Sequence, residues 1–168
     1  MKKARRLTSN LVRSFVLGVE DSLVSTVGLL SGIAAAGTSR SAIILTGFIL
    51  IFVEAFSMAV GELLADTTVR EFEQHHNIPL WKARMSAVVM FGSYLSGGFL
   101  VLSPYIFFDG YMALLISISL SLCMLFILGI MTAELSRVHP LRKAFSMVIV
   151  GGLTILIGVS AGFVIQSI

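Results

Sequence analysis

Five long apolar runs follow one another along this chain, separated by short polar segments. Each run has 23 or 24 residues. A helix rises about 1.5 Å per residue, so each run can cross a hydrocarbon core of about 30 Å. Inside a bilayer the backbone must satisfy its own hydrogen bonds, which favours helices for spans of this length. The sequence therefore predicts an all-α membrane protein of five transmembrane helices, at about residues 14–37, 42–65, 86–108, 111–134 and 144–167.

Composition places the chain in the same class. Of its residues 57% are apolar and only 12% are charged, whereas soluble domains carry about 25% charged residues. Residues 1–13 are expected to form a basic cytosolic tail, and residues 14–168 a single transmembrane domain. The tail and first run resemble a signal peptide, but the run is too long for one and is interrupted by Glu20 and Asp21. We therefore predict an uncleaved first span.

The basic residues predict the orientation of the spans. Eleven of the twelve Lys and Arg residues lie in the tail and in the segments 66–85 and 135–143, and only Arg40 lies on the other side. The positive-inside rule then puts the N-terminus in the cytosol and the C-terminus outside or in a lumen. This topology explains the net charge of +3, so no nucleic-acid partner is expected. An odd number of spans excludes two equal inverted halves, so a symmetric pathway would need two chains.

Three chemically unusual side chains recur every four residues in the second run: Glu54, Met58 and Glu62. They fall within an arc of about 80° on one helix face. A carboxylate near the centre of a membrane helix costs about 2.5–3.5 kcal/mol, so it is rarely kept without a function. Counting residues from the cytosolic edge puts Met58 at the depth of Asp21, Glu54 nearer the midplane and Glu62 nearer the cytosol. The sequence thus predicts a graded acidic path between the first two spans.

Each of these side chains also has an ordinary interpretation. Glu62 is compatible with snorkelling to the membrane interface, and Met58 with filling a gap in the core. Glu54 is the hardest to explain in this way, because no Lys or Arg lies at its depth. It must be protonated, hydrated or bound to a cation. Glu20 lies about 100° from Asp21 on the helix, so it is a weaker candidate for the path.

Ligand chemistry narrows the choice of cation. Carboxylates alone suit Mg²⁺ or Ca²⁺, whereas an added thioether favours a softer ion such as Fe²⁺, and Mn²⁺ remains compatible. The acidic face has no Cys or His, which argues against a dedicated copper or zinc site. A membrane carboxylate can take up a proton when the metal leaves, which would couple metal export to proton entry. The metal is therefore expected as substrate, with no permanently bound cofactor.

A short acidic and histidine-containing stub, residues 66–85, joins the second and third spans. If the second helix continues, part of the stub extends the acidic face and adds ligands that capture metal at the entrance. The weaker metal candidates here are Asp66, Glu73, His75 and His76. A solvated helical segment without a metal explains the same residues.

Small residues recur at four-residue spacing in the first and fifth runs. Gly28 and Gly32 form such a ladder in the first run, and Gly158 and Gly162 form another in the fifth. These ladders let helix backbones approach closely where lipid supplies no hydrophobic drive. They are equally compatible with packing inside one chain and with contact between two copies.

Two motifs resemble those of a known family. Gly18–Gly28, with the sequence GVEDSLVSTVG, resembles the first-helix motif of the vacuolar iron transporter family, and Ser57–Glu62, SMAVGE, resembles its second-helix motif. The resemblance extends over all five spans. It implies a homodimer with the metal path at the subunit interface, and proton-coupled movement of Fe²⁺ or Mn²⁺ out of the cytosol. It also implies pathway roles for Asp21, Glu54 and Met58, with Glu62 at the cytosolic mouth.

The chain departs from this family pattern in two places. Members with a cytosolic metal-binding domain carry a long Glu- and Met-rich insertion between the second and third spans. Here that region is only residues 66–85, so most of the domain is absent. Ser22 replaces the glycine usual after the aspartate and is expected either to narrow the path or to add an oxygen ligand.

The leading interpretation is a dimeric, multi-pass transporter that exports Fe²⁺ or Mn²⁺ in exchange for protons. Its partners are the metal ion, protons, the lipid bilayer and a second copy of the chain. The membrane is expected to be the plasma membrane in a prokaryote and the vacuolar membrane in a eukaryote. The alternative is a non-transporting assembly subunit whose intramembrane acids pair with a partner. An enzyme is not expected, since nothing resembles a nucleophile with its base.

Overall fold

A computed structural model describes residues 2–75 and 83–167, with side chains from residue 9 onward except at Gln74. All regular structure in these ranges is helical. The helices are α1 (Lys2–Ala35), α2 (Arg40–Gln74), α3 (Arg84–Phe107), α4 (Gly110–Ser136) and α5 (Pro140–Gln166). All five are long and apolar enough to cross a membrane. The predicted all-α fold with five spans is confirmed.

Two helices extend beyond the predicted membrane spans. α1 already begins at Lys2, within the predicted basic tail, and α2 continues through the first part of the 66–85 stub to Gln74. α2 ends where His75 adopts a left-handed backbone with φ 54°. Hydropathy marks where the apolar part of a helix ends, whereas the helix itself continues until a residue breaks it. Neither extension contains a Gly or Pro that would stop the helix.

α1 lies at the centre of the bundle. It contacts each of the other four helices, whereas α2 packs mainly on α3, and α5 packs on α1 and α4. Leu23, Val27 and Leu30 of α1 are fully buried and join a core that includes Ile51 of α2 and Leu102 of α3. The helix that carries Asp21 is therefore the one whose position the remaining helices fix.

The glycine ladders of α1 and α5 pack against each other within one chain. A Cβ atom added at Gly158 would lie 2.0 Å from the carbonyl oxygen of Gly28, and one at Gly162 would lie 2.1 Å from that of Gly32. Such distances leave no room for any side chain. Of the two uses that the sequence allowed, these glycines serve the packing of α1 on α5.

Arg40 fastens the start of α2 to the end of α3. Its Nε donates to the carbonyl oxygen of Tyr105 at 2.9 Å, and its other nitrogens bond the Ile106 carbonyl and the Asp109 carboxylate. Arg40, the one basic residue predicted to lie on the outer side, thus neutralises Asp109 and caps carbonyls that the end of α3 leaves free.

Candidate functional site

The inward face of α2 changes from apolar to acidic along its length. Ile51 and Ala55 are fully buried, and Glu62 and Asp66 follow on the same face with 7% and 5% of their surface exposed. The residues follow at intervals of four or seven, which keeps them near one side of a helix. Glu54 lies at the edge of this face and is half-buried.

Asp21 and Glu54 form an acid pair across the contact between α1 and α2. Both side chains are half-buried, and they are close enough for their charges to interact. Within the part of the chain that the structure describes, neither makes a hydrogen bond or an ion pair. Met58, also half-buried, lies one turn beyond Glu54 towards the acidic end of α2. We call Asp21 and Glu54 the acid pair below.

Tyr94 supplies a polar group from α3 beside the acid pair. Its side chain is fully buried, and its hydroxyl lies 2.8 Å from Oγ of Ser25. Ser25 follows Asp21 by one helical turn and therefore shares its face of α1. The Tyr94 hydroxyl lies near Asp21 and Glu54. Tyr94 was not among the predicted site residues, although a tyrosine inside an apolar span usually has a polar partner.

Ser22 lines the contact between α1 and α3. Its Oγ donates to the carbonyl oxygen of Tyr94 at 2.6 Å, and a Cβ atom at Gly97 would lie 3.0 Å from that Oγ. The hydroxyl is buried, and its proton is donated to the backbone of α3. Ser22 therefore neither narrows the contact between α1 and α2 nor points an oxygen into it, contrary to both expectations.

Glu62 is held by two side chains of α1. Nη2 of Arg13 donates to both carboxylate oxygens of Glu62, at 2.8 and 3.0 Å. Oγ of Ser14 donates to Oε1 of Glu62 at 2.8 Å. Glu62 is buried, so it does not snorkel to the interface. Both of its oxygens are already occupied, by contrast with those of the acid pair.

Asp66 is paired in a similar way one turn further along α2. Nε and Nη2 of Arg70 donate to its Oδ2 at 3.1 and 3.0 Å, and Nδ2 of Asn10 donates to its Oδ1 at 3.3 Å. Asp66 is thus a buried, neutralised acid that joins α2 to α1. Its position on α2 was predicted, but its cationic partner was not.

The remaining candidates are Glu20, which directly precedes Asp21 on α1, and the residues at the end of α2. Glu20 is half-buried on α1 and makes no hydrogen bond or ion pair among the described residues. Glu73 and His75 are exposed at the end of α2, and His76 lies outside the described residues. Across residues 2–75 and 83–167, no three His, Cys, Asp or Glu side chains are grouped to hold a metal. Among the described residues of one chain, no third His, Cys, Asp or Glu side chain therefore joins the two acids of the pair.

Comparison with known proteins covers almost the whole chain. The model of the VIT family matches residues 12–78 and 73–163, which reach from α1 to α5. Vacuolar iron transporter homolog 2 of Arabidopsis thaliana is 28% identical over 169 aligned positions, spanning 89% of this chain and 86% of that protein. Vacuolar iron transporter homolog 5 of Oryza sativa subsp. japonica is 37% identical over 65 residues, spanning 39% of this chain and 31% of that protein.

Proposed function

Because the chain belongs to the VIT family, we propose that it carries Fe²⁺ or Mn²⁺ out of the cytosol in exchange for protons. The chain is a multi-pass membrane protein, and the relatives that it resembles are named as homologues of iron transporters. The observation that carries the proposal is the acid pair, Asp21 and Glu54, which lies between two apolar helices without a basic partner among the described residues.

The charges of the acid pair favour the binding of a cation between the two helices. Each carboxylate is costly inside a membrane, and two neighbouring like charges repel, which adds to that cost. A divalent ion between Asp21 and Glu54 cancels both charges and supplies the partner that each oxygen lacks. When the ion leaves towards the outside, a proton from that side can neutralise a carboxylate in its place. Exchange of metal for protons follows from this alternation.

The donor atoms favour Fe²⁺ or Mn²⁺. Two carboxylates supply hard oxygen ligands, and the thioether of Met58 adds a soft sulfur ligand on the same face of α2 as Glu54. Fe²⁺ accepts both kinds of ligand, and Mn²⁺ binds the oxygens with the sulfur as an additional contact.

A second copy of the chain completes the path in this proposal. The acid pair and Met58 are only half-buried, and together they supply fewer ligands than a transition-metal ion usually takes. Next to Glu54, α2 exposes a large apolar surface formed by Phe52, Val53, Phe56 and Val60. A homodimer that joins these surfaces brings two acid pairs together at the interface. By the positive-inside rule, the end of the bundle where α1 begins faces the cytosol, so the path opens to the cytosol there.

Metal uptake into proteoliposomes tests the coupling. With the outer side of the protein facing the vesicle interior, an acidic interior is expected to accelerate Mn²⁺ uptake, and the uptake is expected to consume internal protons. A fluorescent pH indicator and radioactive Mn²⁺ measure the two fluxes together. A rate of Mn²⁺ uptake that does not change with the pH gradient would rule out exchange with protons. No uptake at all by folded protein would favour the assembly subunit, whose acids pair with a partner.

A further inference from the structure

We propose that Arg13 is a gate at the cytosolic end of the path, where its guanidinium occupies Glu62 in place of an incoming metal ion. The inference rests on the proposed function and concerns the regulation of the same path. Entry of a metal ion at this end then requires that Arg13 leave Glu62, and the return of Arg13 closes the entrance.

The burial of the two partners differs in the way a gate requires. The side chain of Arg13 is 55% exposed, whereas that of Glu62 is only 6% exposed. Arg13 thus reaches inward from solvent to a buried acid, and its long side chain can turn back to solvent without movement of α1. Arg13 contacts both oxygens of Glu62, and Ser14 contacts one of them. A metal ion cannot take both oxygens while Arg13 stays in place.

The position of Glu62 puts this contact on the route to the acid pair. Glu62 lies two helical turns beyond Glu54 on α2, about 12 Å along the axis, with Met58 between them. While Arg13 is bound, the charge of Glu62 is cancelled and the entrance attracts no cation. When Arg13 turns away, the entrance gains a free carboxylate that draws a divalent ion towards Met58 and the acid pair.

The neighbouring pair of Asp66 and Arg70 provides a contrast. Both residues belong to α2, one turn apart, so their contact persists whatever α1 does. The pair of Arg13 and Glu62 instead joins α1 to α2, the two helices that also carry the acid pair. Movement of α1 relative to α2 therefore changes the contact of Arg13 with Glu62. Arg70, by contrast, mainly neutralises the buried Asp66. The matched control for Arg13→Gln is Arg142→Gln, because Arg142 is an exposed arginine at the start of α5 and makes no ion pair among the described residues.

The test compares the initial rate of Mn²⁺ uptake into proteoliposomes over a range of Mn²⁺ concentrations. If Arg13 competes with the metal, Arg13→Gln lowers the half-saturating Mn²⁺ concentration about threefold to fivefold, towards the upper end of what an exposed ion pair contributes. Arg142→Gln leaves it within about twofold of the parent value. Glu62→Gln also frees Arg13 but removes the carboxylate, and it raises the half-saturating concentration.

An unchanged or raised half-saturating concentration in folded Arg13→Gln would overturn the gate and make Arg13 a structural tie between α1 and α2. If Arg13→Gln does not fold, Arg13→Lys replaces it. Lysine keeps the charge but has a single nitrogen on a shorter reach, so a half-saturating concentration below that of the parent supports the gate, and an unchanged value overturns it. A parent chain that takes up neither Mn²⁺ nor Fe²⁺ refutes the proposed function itself. Parent uptake without a shift in either variant refutes the gate alone.

Discussion

Replacing Glu54 with glutamine is expected to lower Mn²⁺ flux at least about tenfold, while the chain stays folded and becomes no less stable. Loss of a group that merely supports a metal ligand costs 10- to 100-fold in affinity as a rule, so loss of a direct ligand costs at least about as much. The amide keeps the shape of the side chain. It also removes one of two neighbouring like charges that have no basic partner among the described residues, which relieves repulsion.

The experiment measures uptake into proteoliposomes and thermal unfolding on the same preparations. Glu134→Gln is the matched control, because Glu134 is an exposed carboxylate near the end of α4. Asp21→Asn is expected to behave as Glu54→Gln does. Full flux in both variants would remove the acid pair from the path. Loss of flux together with loss of folding would assign the acids a structural role.

Replacing Gly158 with alanine is expected to destabilise the protein by about 1–3 kcal/mol, although alanine favours a helix over glycine by about 1 kcal/mol. The added methyl group meets the backbone oxygen of Gly28 at 2.0 Å, and a backbone atom cannot turn aside as a side chain can. α5 must then move away from α1, the central helix that carries Asp21. Flux is therefore expected to fall with stability.

Gly152→Ala on the same helix is the control, since a Cβ atom there meets no atom within 4 Å. It is expected to leave the free energy of unfolding unchanged or to increase it slightly. Thermal unfolding in detergent compares the two variants directly. Equal stability of Gly158→Ala and Gly152→Ala would show that the two ladders do not pack as closely as described.

The fold followed from the sequence because membrane thickness sets the length of an apolar run. The ends of the helices did not follow in the same way. Nothing in the apolar pattern marks the point where α2 stops, and the helix continues past residue 65 to Gln74 because no Gly or Pro intervenes. The use of the glycine ladders also needed the structure, since their spacing is the same whether they face another helix of the chain or a second copy.

The two acids could be inferred as path residues because depth in a membrane is fixed by counting residues along each helix, but their pairing could not. Counting put Met58 at the level of Asp21 and Glu54 nearer the midplane, whereas in the structure the charge of Glu54 interacts with that of Asp21. The contact of Arg13 with Glu62 could not be found by counting acids, because Arg13 belongs to the tail that was expected to lie in the cytosol. Tyr94 could not be predicted either, because its place beside the acid pair depends on which side of α3 faces α1.

Equilibrium binding of Mn²⁺ to the protein in nanodiscs tests the metal path most directly, because it needs neither transport nor a pH gradient. Three chains are compared: the parent, the double variant Asp21→Asn/Glu54→Gln, and the control Glu134→Gln. A path that runs through the acid pair predicts binding by the parent and the control, and at least about tenfold weaker binding by the double variant. Binding of Mn²⁺ by the double variant as tightly as by the parent would contradict it.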